Sequence, residues 1–226
     1  MKKIKSGTIQ KPDDKSDQPN YLDGRGAQIN TANRFLKTHK VIEHSEGIDD
    51  WEEVDERTTF IMSDAKSIVN KVESPDVSMM YSMNPYAGCE HGCIYCYARN
   101  VHEYWGYSAG LDFERKIIVK QNAPQLLRKF LMNPNWVCEP LTLSGNTDCY
   151  QPCEKKFRLT RSLLEICREF NQPVGMITKN AGMLRDMDIL KDLAQKNLVS
   201  ILVSITSTNE NLRRHMEPRT TTAKQR

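Results

Sequence analysis

Three things are missing from this chain. It has no run of about eighteen apolar residues, so no segment reads as a membrane span. Its start, MKKIKSGTIQKPDD, is basic but has no apolar stretch behind it, which does not fit a secretory signal. It also lacks a strong charge of either sign: 32 Lys and Arg against 29 Asp and Glu give +3 over 226 residues. Residues 213–226 hold five basic residues and one acidic, +4 together, leaving about −1 for the rest. A dedicated nucleic-acid binder would carry a basic face or stripe, and the pattern gives none. Internal repeats and low-complexity tracts are absent too. What remains is a chain with 38% hydrophobic residues, enough to build a core in one large domain or two small ones.

Seven cysteines are present, an odd number in a chain without a signal. That argues against a disulfide framework and for a reducing, cytoplasmic home. Three of the seven fall within eight residues, which suggests metal or redox chemistry.

Residues 1–60 read as an irregular N-terminal extension, polar and loosely docked in 1–35 and wrapping the surface beyond that. The core is expected over 61–226. SDAKSIVNKV (63–72) suggests a short helix capped by Ser63. VSMMYSM (77–83), KIIVK (116–120), PLTLSG (140–145), VGMIT (174–178) and VSILVSI (199–205) read as strands. Helices are expected after the Cys-rich loop to about residue 105, over 123–132, and over 159–170. In the last, Leu163, Ile166, Cys167 and Phe170 share one face. Leu184, Met187, Leu190 and Leu193 mark another helix. Strands alternating with helices predict an α/β fold with a parallel sheet, a partial (βα) barrel of the TIM type. Polar residues follow each strand, and ligands in such folds collect at the strands' carboxyl ends.

The central motif is Cys89-Glu-His-Gly-Cys93-Ile-Tyr-Cys96. A compact loop with this spacing can aim three thiolates at one point. A closed structural zinc site would want a fourth ligand, for which His91 is the local candidate. Iron–sulfur clusters are held by Cys thiolates, four in most electron carriers, so three would leave one iron open. Gly88 and Gly92 suit a loop that bends around a bound group, or are ordinary turn glycines.

Cys-x3-Cys-x2-Cys with Tyr95 before the last Cys resembles the signature of radical S-adenosylmethionine (SAM) enzymes. The longer string NPYAGCEHGCIYCYARNVHEYWGYSAGLDFERKIIVK, with the earlier GRGAQINTANRFLKTH, is similar to the spore photoproduct lyase-like branch. The resemblance implies a [4Fe-4S] cluster on Cys89, Cys93 and Cys96. It implies SAM on the open iron, an electron donor such as flavodoxin or ferredoxin, and a deoxyadenosyl radical that takes hydrogen from a substrate. It also implies that Thr147 and Asp148 of SGNTD, Lys179 of MITKN and Ser204 of VSITS contact SAM, and that Tyr95 and Tyr97 lie near the cluster and take part in hydrogen transfer. Each has a plainer reading: strand-end turn, solvated Lys, backbone-bonded Ser, packing aromatics. Glu217 and Arg219 of EPRT resemble the next family segment.

Two departures stand out. The lyase returns hydrogen from a Cys in its second-strand motif, where this chain has Gly145, so lyase activity is in doubt. Cys149 is the nearest substitute. Cys138, Cys149 and Cys153 could alternatively hold an auxiliary cluster, and Cys167 reads as core. Family members also run further, so this chain looks like the front part of a barrel that is catalytically weak alone. The competing reading is a zinc-holding structural or interaction module. A nucleic-acid-related substrate is admitted by the resemblance, but charge gives it no support.

Overall fold

The structure is a computed structural model, and its described residues are 21–37, 57–74, 76 and 79–226. Two sheets share the core. The larger has five strands in the order β2 (Val69–Lys71), β3 (Tyr81–Met83), β6 (Leu141–Leu143), β7 (Val174–Thr178) and β8 (Val199–Val203). Strands β3, β6, β7 and β8 run parallel, and β2 is antiparallel to β3. Met83, Leu143 and Met176 stand in register across three of them. The smaller sheet orders β1 (Thr59–Ser63), β5 (Lys116–Lys120) and β4 (Tyr86–Ala87), with β1 and β5 parallel.

The elements follow from their sequences. β5 reads Lys-Ile-Ile-Val-Lys, and its three apolar residues are all buried, as in a strand covered on both faces. α2 (Ala123–Leu131) opens with Pro124 in its first turn and buries Ala123 and Leu127, one turn apart. α4 (Leu159–Glu169) buries Leu163, Leu164, Ile166 and Cys167, and α5 (Met187–Gln195) buries Ile189, Leu190 and Leu193. These faces close on the parallel strands to form the main core. Tyr86, Ile117, Val119, Cys153 and Leu159 form a second cluster around the smaller sheet. α1 (Asp112–Arg115), α3 (Glu154–Phe157) and α6 (Glu210–Met216) are short; Asn209 caps α6 through its side-chain oxygen. β8 pairs only with β7 among the described residues, and Ile201, Leu202 and nearby Ile205 are exposed.

The α/β class with parallel strands agrees with the sequence reading. The helix expected over 63–72 is not there. Ser63 ends β1, and 69–71 form β2, because Ile68 is needed in the core and Val69 pairs with Met83. The segment after the Cys loop is a 3₁₀ helix, Tyr97–Trp105. The strand expected over 77–83 covers 81–83, and residues 77 and 78 lie outside the described set. KIIVK is a strand, but it joins the second sheet rather than standing between β3 and β6.

Residues 21–37 of the N-terminal extension are docked on the core. Glu114, with no exposed surface, accepts the backbone N–H of Gly26 at 3.1 Å and of Ala27 at 2.8 Å. Asn33 donates to the carbonyls of Glu103 and Tyr107. The rest of 1–20 and 38–56 lies outside the described residues.

Candidate metal centre and cofactor cavity

The Cys loop begins where β4 ends, at Gly88. Its φ of +81° and the +67° of Gly92 are values that favour glycine, so both bends need the residue they have. The loop is pinned from several directions. Cys89 N–H donates to Phe113 C=O at 2.9 Å, and Glu90 N–H to the Gln151 side chain at 3.0 Å. Arg99 donates to Cys93 C=O at 2.9 Å while its guanidinium pairs with Glu114 at 2.6 Å. From the C-terminal side, Ile94 N–H bonds to Met216 C=O, and Arg219 N–H to His91 C=O.

Cys89, Cys93 and Cys96 line one cavity of about 230 Å³. Its other walls are the turn 144–148 after β6 and the residues leaving β7, including Lys179. All three cysteines are free thiols, two of them buried. Burial pushes the Cys89 thiol well above its ordinary range. It drives Cys93 up to about 12, against the pull of the Lys179 cation. Such thiols stay protonated by themselves, so a metal must displace the protons as it binds. Among the described residues no three His, Cys, Asp or Glu side chains are gathered to hold a single metal ion. What the cavity does offer a larger group is three free thiols in one wall. His91 is fully buried with Nδ1 3.4 Å from Asp148 and Nε2 3.3 Å from the Asn180 amide, which takes the local candidate for a fourth ligand.

The turn carries strain of its own: Ser144, a residue with a Cβ, sits at φ +87°, and its hydroxyl accepts the N–H of Cys149. Thr147 is buried and donates its hydroxyl to Tyr86 C=O at 3.1 Å. The carboxylate of Asp148 is occupied by protein. It accepts Lys179 N–H and the Thr178 hydroxyl, both at 2.7 Å, and Tyr150 N–H at 2.9 Å. Burial works to raise the Asp148 carboxyl, but the facing His91 and these donors bring it below its ordinary value. Its place is that of a brace between two strand ends. Lys179 puts its ammonium 6.0 Å from the ring of Tyr95.

Tyr97 lines the cavity and donates its hydroxyl to Gly145 C=O. Tyr95 does not line it. Its hydroxyl donates to Glu217, whose buried carboxylate also takes the Thr206 hydroxyl and Arg226. Ser204 lies just past β8, its backbone N–H on Thr178 C=O, outside the cavity lining. Cys149 sits in the main core, 1% exposed, and does not reach the cavity, because the chain after Asp148 turns inward to pack Tyr150 and Cys149 under α4 and α5. Cys138 is exposed, Cys149 is in the main core and Cys153 in the second cluster, so these three are not gathered. Sequence reasoning missed Arg99 and Glu114. Both lie inside the string that carries the resemblance, but neither is singled out in it, and a buried carboxylate 18 residues beyond Cys96 has no local signature.

The parallel strands of the larger sheet, with a thiol-lined cavity at their carboxyl ends, define an α/β protein with a cysteine loop between β3 and β6 in the chain. The chain belongs to the Radical SAM superfamily, whose family model matches residues 83–226. It is 35% identical over 162 residues to an uncharacterized protein of Mycobacterium tuberculosis, covering 71% of this chain and 48% of that one. An uncharacterized protein of Methanocaldococcus jannaschii is 29% identical over 154 residues, covering 68% and 54%. The chain thus spans about half the length of the curated relatives it matches. Among solved structures it resembles spore photoproduct lyase complexed with a dinucleoside spore photoproduct. There the TM-score is 0.52 at 18% identity, covering 81% of this chain and 51% of the other. A lyase variant with bound AdoMet gives the same 0.52. The mixed α/β fold with its parallel strands is therefore the radical SAM fold of that lyase.

Proposed function

We propose that the protein is a radical SAM enzyme in which Cys89, Cys93 and Cys96 hold a [4Fe-4S] cluster and the cavity above them receives SAM. The observation that carries this is the meeting of three thiols, the 144–148 turn and Lys179 around one cavity. When bound and reduced, such a cluster supplies one electron to SAM and so yields a 5′-deoxyadenosyl radical; a donor of the flavodoxin or ferredoxin kind belongs to this reading.

The chain's own residues have separate tasks. Lys179 offers an ammonium to an anionic cofactor group such as a carboxylate. Thr147 and Asp148 hold the turn in place, Thr147 through Tyr86 and Asp148 through Lys179 and Thr178. Tyr97 walls the cavity at Gly145. Tyr95 ties the loop to Glu217 from outside the lining, and Ser204 needs a shift of the chain after β8 to touch a cofactor. With Cys149 in the core, the thiols that line the cavity with Gly145 among the described residues are the three assigned to the cluster, so Cys149 does not stand in for the hydrogen-returning Cys of the lyase resemblance. The zinc alternative is weakened by the engagement of His91 with Asp148 and Asn180.

The test is anaerobic reconstitution of the chain with iron and sulfide, then reduction by dithionite in the presence of SAM. About four irons per chain and formation of 5′-deoxyadenosine support the reading. Stoichiometric zinc with no iron uptake would overturn it.

A further inference from the structure

Across Asn146 and Thr147, which line both, a second cavity of about 340 Å³ adjoins the cofactor cavity. Among the described residues, its wall holds buried polar atoms with no partner in the protein, on Asn84 and His102, and a cation with no counter-charge, Lys120. Asn84, 6% exposed, has a side-chain Oδ1 with no hydrogen-bond partner. Lys120, the last residue of β5, donates from Nζ to the backbone carbonyl of Asn84 at 2.9 Å. Among the described residues no carboxylate pairs with it, and burial depresses its ammonium. A partly buried cation without a counter-charge and a buried amide oxygen without a donor both cost free energy in an empty protein. A ligand that supplies the missing groups removes both costs. His102 also lines this cavity; its ring packs against Tyr107 and Phe113, and neither ring nitrogen has a hydrogen-bond partner. Val101 and Trp105 add an apolar side.

We infer that this cavity seats the substrate, and that it takes a small carboxylate or phosphate with a hydroxyl beside the oxyanion and a flat apolar body. Lys120 binds the oxyanion. Asn84 Oδ1 accepts the hydroxyl proton, and the apolar side takes the body. A ligand with an ammonium in place of the hydroxyl is repelled by Lys120. The word substrate rests on the radical SAM reading; the binding chemistry does not. The size is in the usual range for small-molecule sites.

The experiment titrates the iron-loaded chain by anaerobic calorimetry with two probes, 3-phenyllactate for the carboxylate source and 2-hydroxy-2-phenylethyl phosphate for the phosphate source. Melting temperatures and iron content are read in parallel. At least one probe is expected to bind. Lys120→Met should weaken it about ten- to a hundred-fold, the loss of one charge-assisted hydrogen bond. Without probe, Lys120→Met should melt no lower than the wild type, since an unpaired cation has been removed. Asn84→Ala, which keeps the backbone carbonyl under Lys120, should weaken the same probe several-fold. The proposal is overturned if neither probe binds, which leaves a water-filled cavity. It is also overturned if both variants bind as the wild type does, if Lys120→Met melts well below the wild type, or if SAM competes with the probe. Iron content is scored separately, so failure of the cluster assignment is distinguishable from failure of the cavity assignment.

Discussion

The backbone N–H of Lys179 donates to the carboxylate of Asp148 at 2.7 Å, across two parallel strands. The turn after β6 and the chain leaving β7 are thereby held as one unit, and the same carboxylate faces His91 of the Cys loop at 3.4 Å. Three strand ends that bear on the cavity are braced by a single buried side chain.

Alanine at Cys89, Cys93 or Cys96 is expected to abolish iron uptake on anaerobic reconstitution. Cys167→Ala, far from the cavity in the main core, should keep full iron and lose about 1 kcal/mol of stability from the small void left behind. Full iron in Cys93→Ala would exclude the assigned ligand set.

A methyl group on Gly26 would lie 1.8 Å from the carbonyl oxygen of Gly92, inside the Cys loop. Gly26→Ala must therefore lift the N-terminal segment off the loop. We expect faster amide hydrogen exchange at Ala27 and weaker iron retention, with a cost on the order of 1–3 kcal/mol. Wild-type exchange rates at Ala27 in this variant would show that the contact is not kept in solution.

Glu114 is fully buried and joins Arg99, Gly26 and Ala27. Removing one partner of such a pair leaves a charge uncompensated. Arg99→Met should cost about 3–5 kcal/mol, more than Arg128→Met, whose partner Glu169 is half exposed. Chemical denaturation of the two variants gives the comparison. Equal, small losses would mean that the buried pair is open to water.

His102 is 1% exposed, and burial lowers its imidazole from 6.5 to about 4, with Asp112 opposing that shift and Lys116 adding to it. The unfolded chain takes up the proton near 6.5 and the folded one only near 4. Stability is therefore full above pH 6.5 and falls as the pH drops toward 4, by up to about 3 kcal/mol. In His102→Phe that part of the acid-side loss should vanish when melting is followed from pH 7 to 4. An unchanged acid slope would remove His102 as its source.

The strands and helices that sequence made legible are those with dense apolar patterns: β5, β7, β8, α2 and α4. Val69 and Ile68 were misread as helical because a three-residue strand has no period of its own. It exists only because Met83 is opposite. β4, two residues long, is likewise made by its partner Val119 and not by its own composition. KIIVK was legible as a strand, yet its neighbour 59–63 was not, so its sheet could not be assigned. In the candidate site, spacing singles out the three cysteines and the resemblance of MITKN to a family motif singles out Lys179, and all four line one cavity. Cys149 shows the limit. Its surroundings in sequence are polar, but the turn after Asp148 carries it into the core. The Arg99–Glu114 tie spans 15 residues and owes its existence to burial by a segment nearly ninety residues upstream.

The outer margin of β8 has a consequence for handling the protein. Its backbone has one partnered side among the described residues, and Leu202 and Ile205 stand half or more in water beside it. A strand in that state can recruit a second one from a neighbouring molecule. Melting temperature then becomes a function of how much protein is in the tube, as mass action requires for any coupled association. Dilution series belong with every stability comparison, so that a self-pairing sheet is not mistaken for a stiffer core.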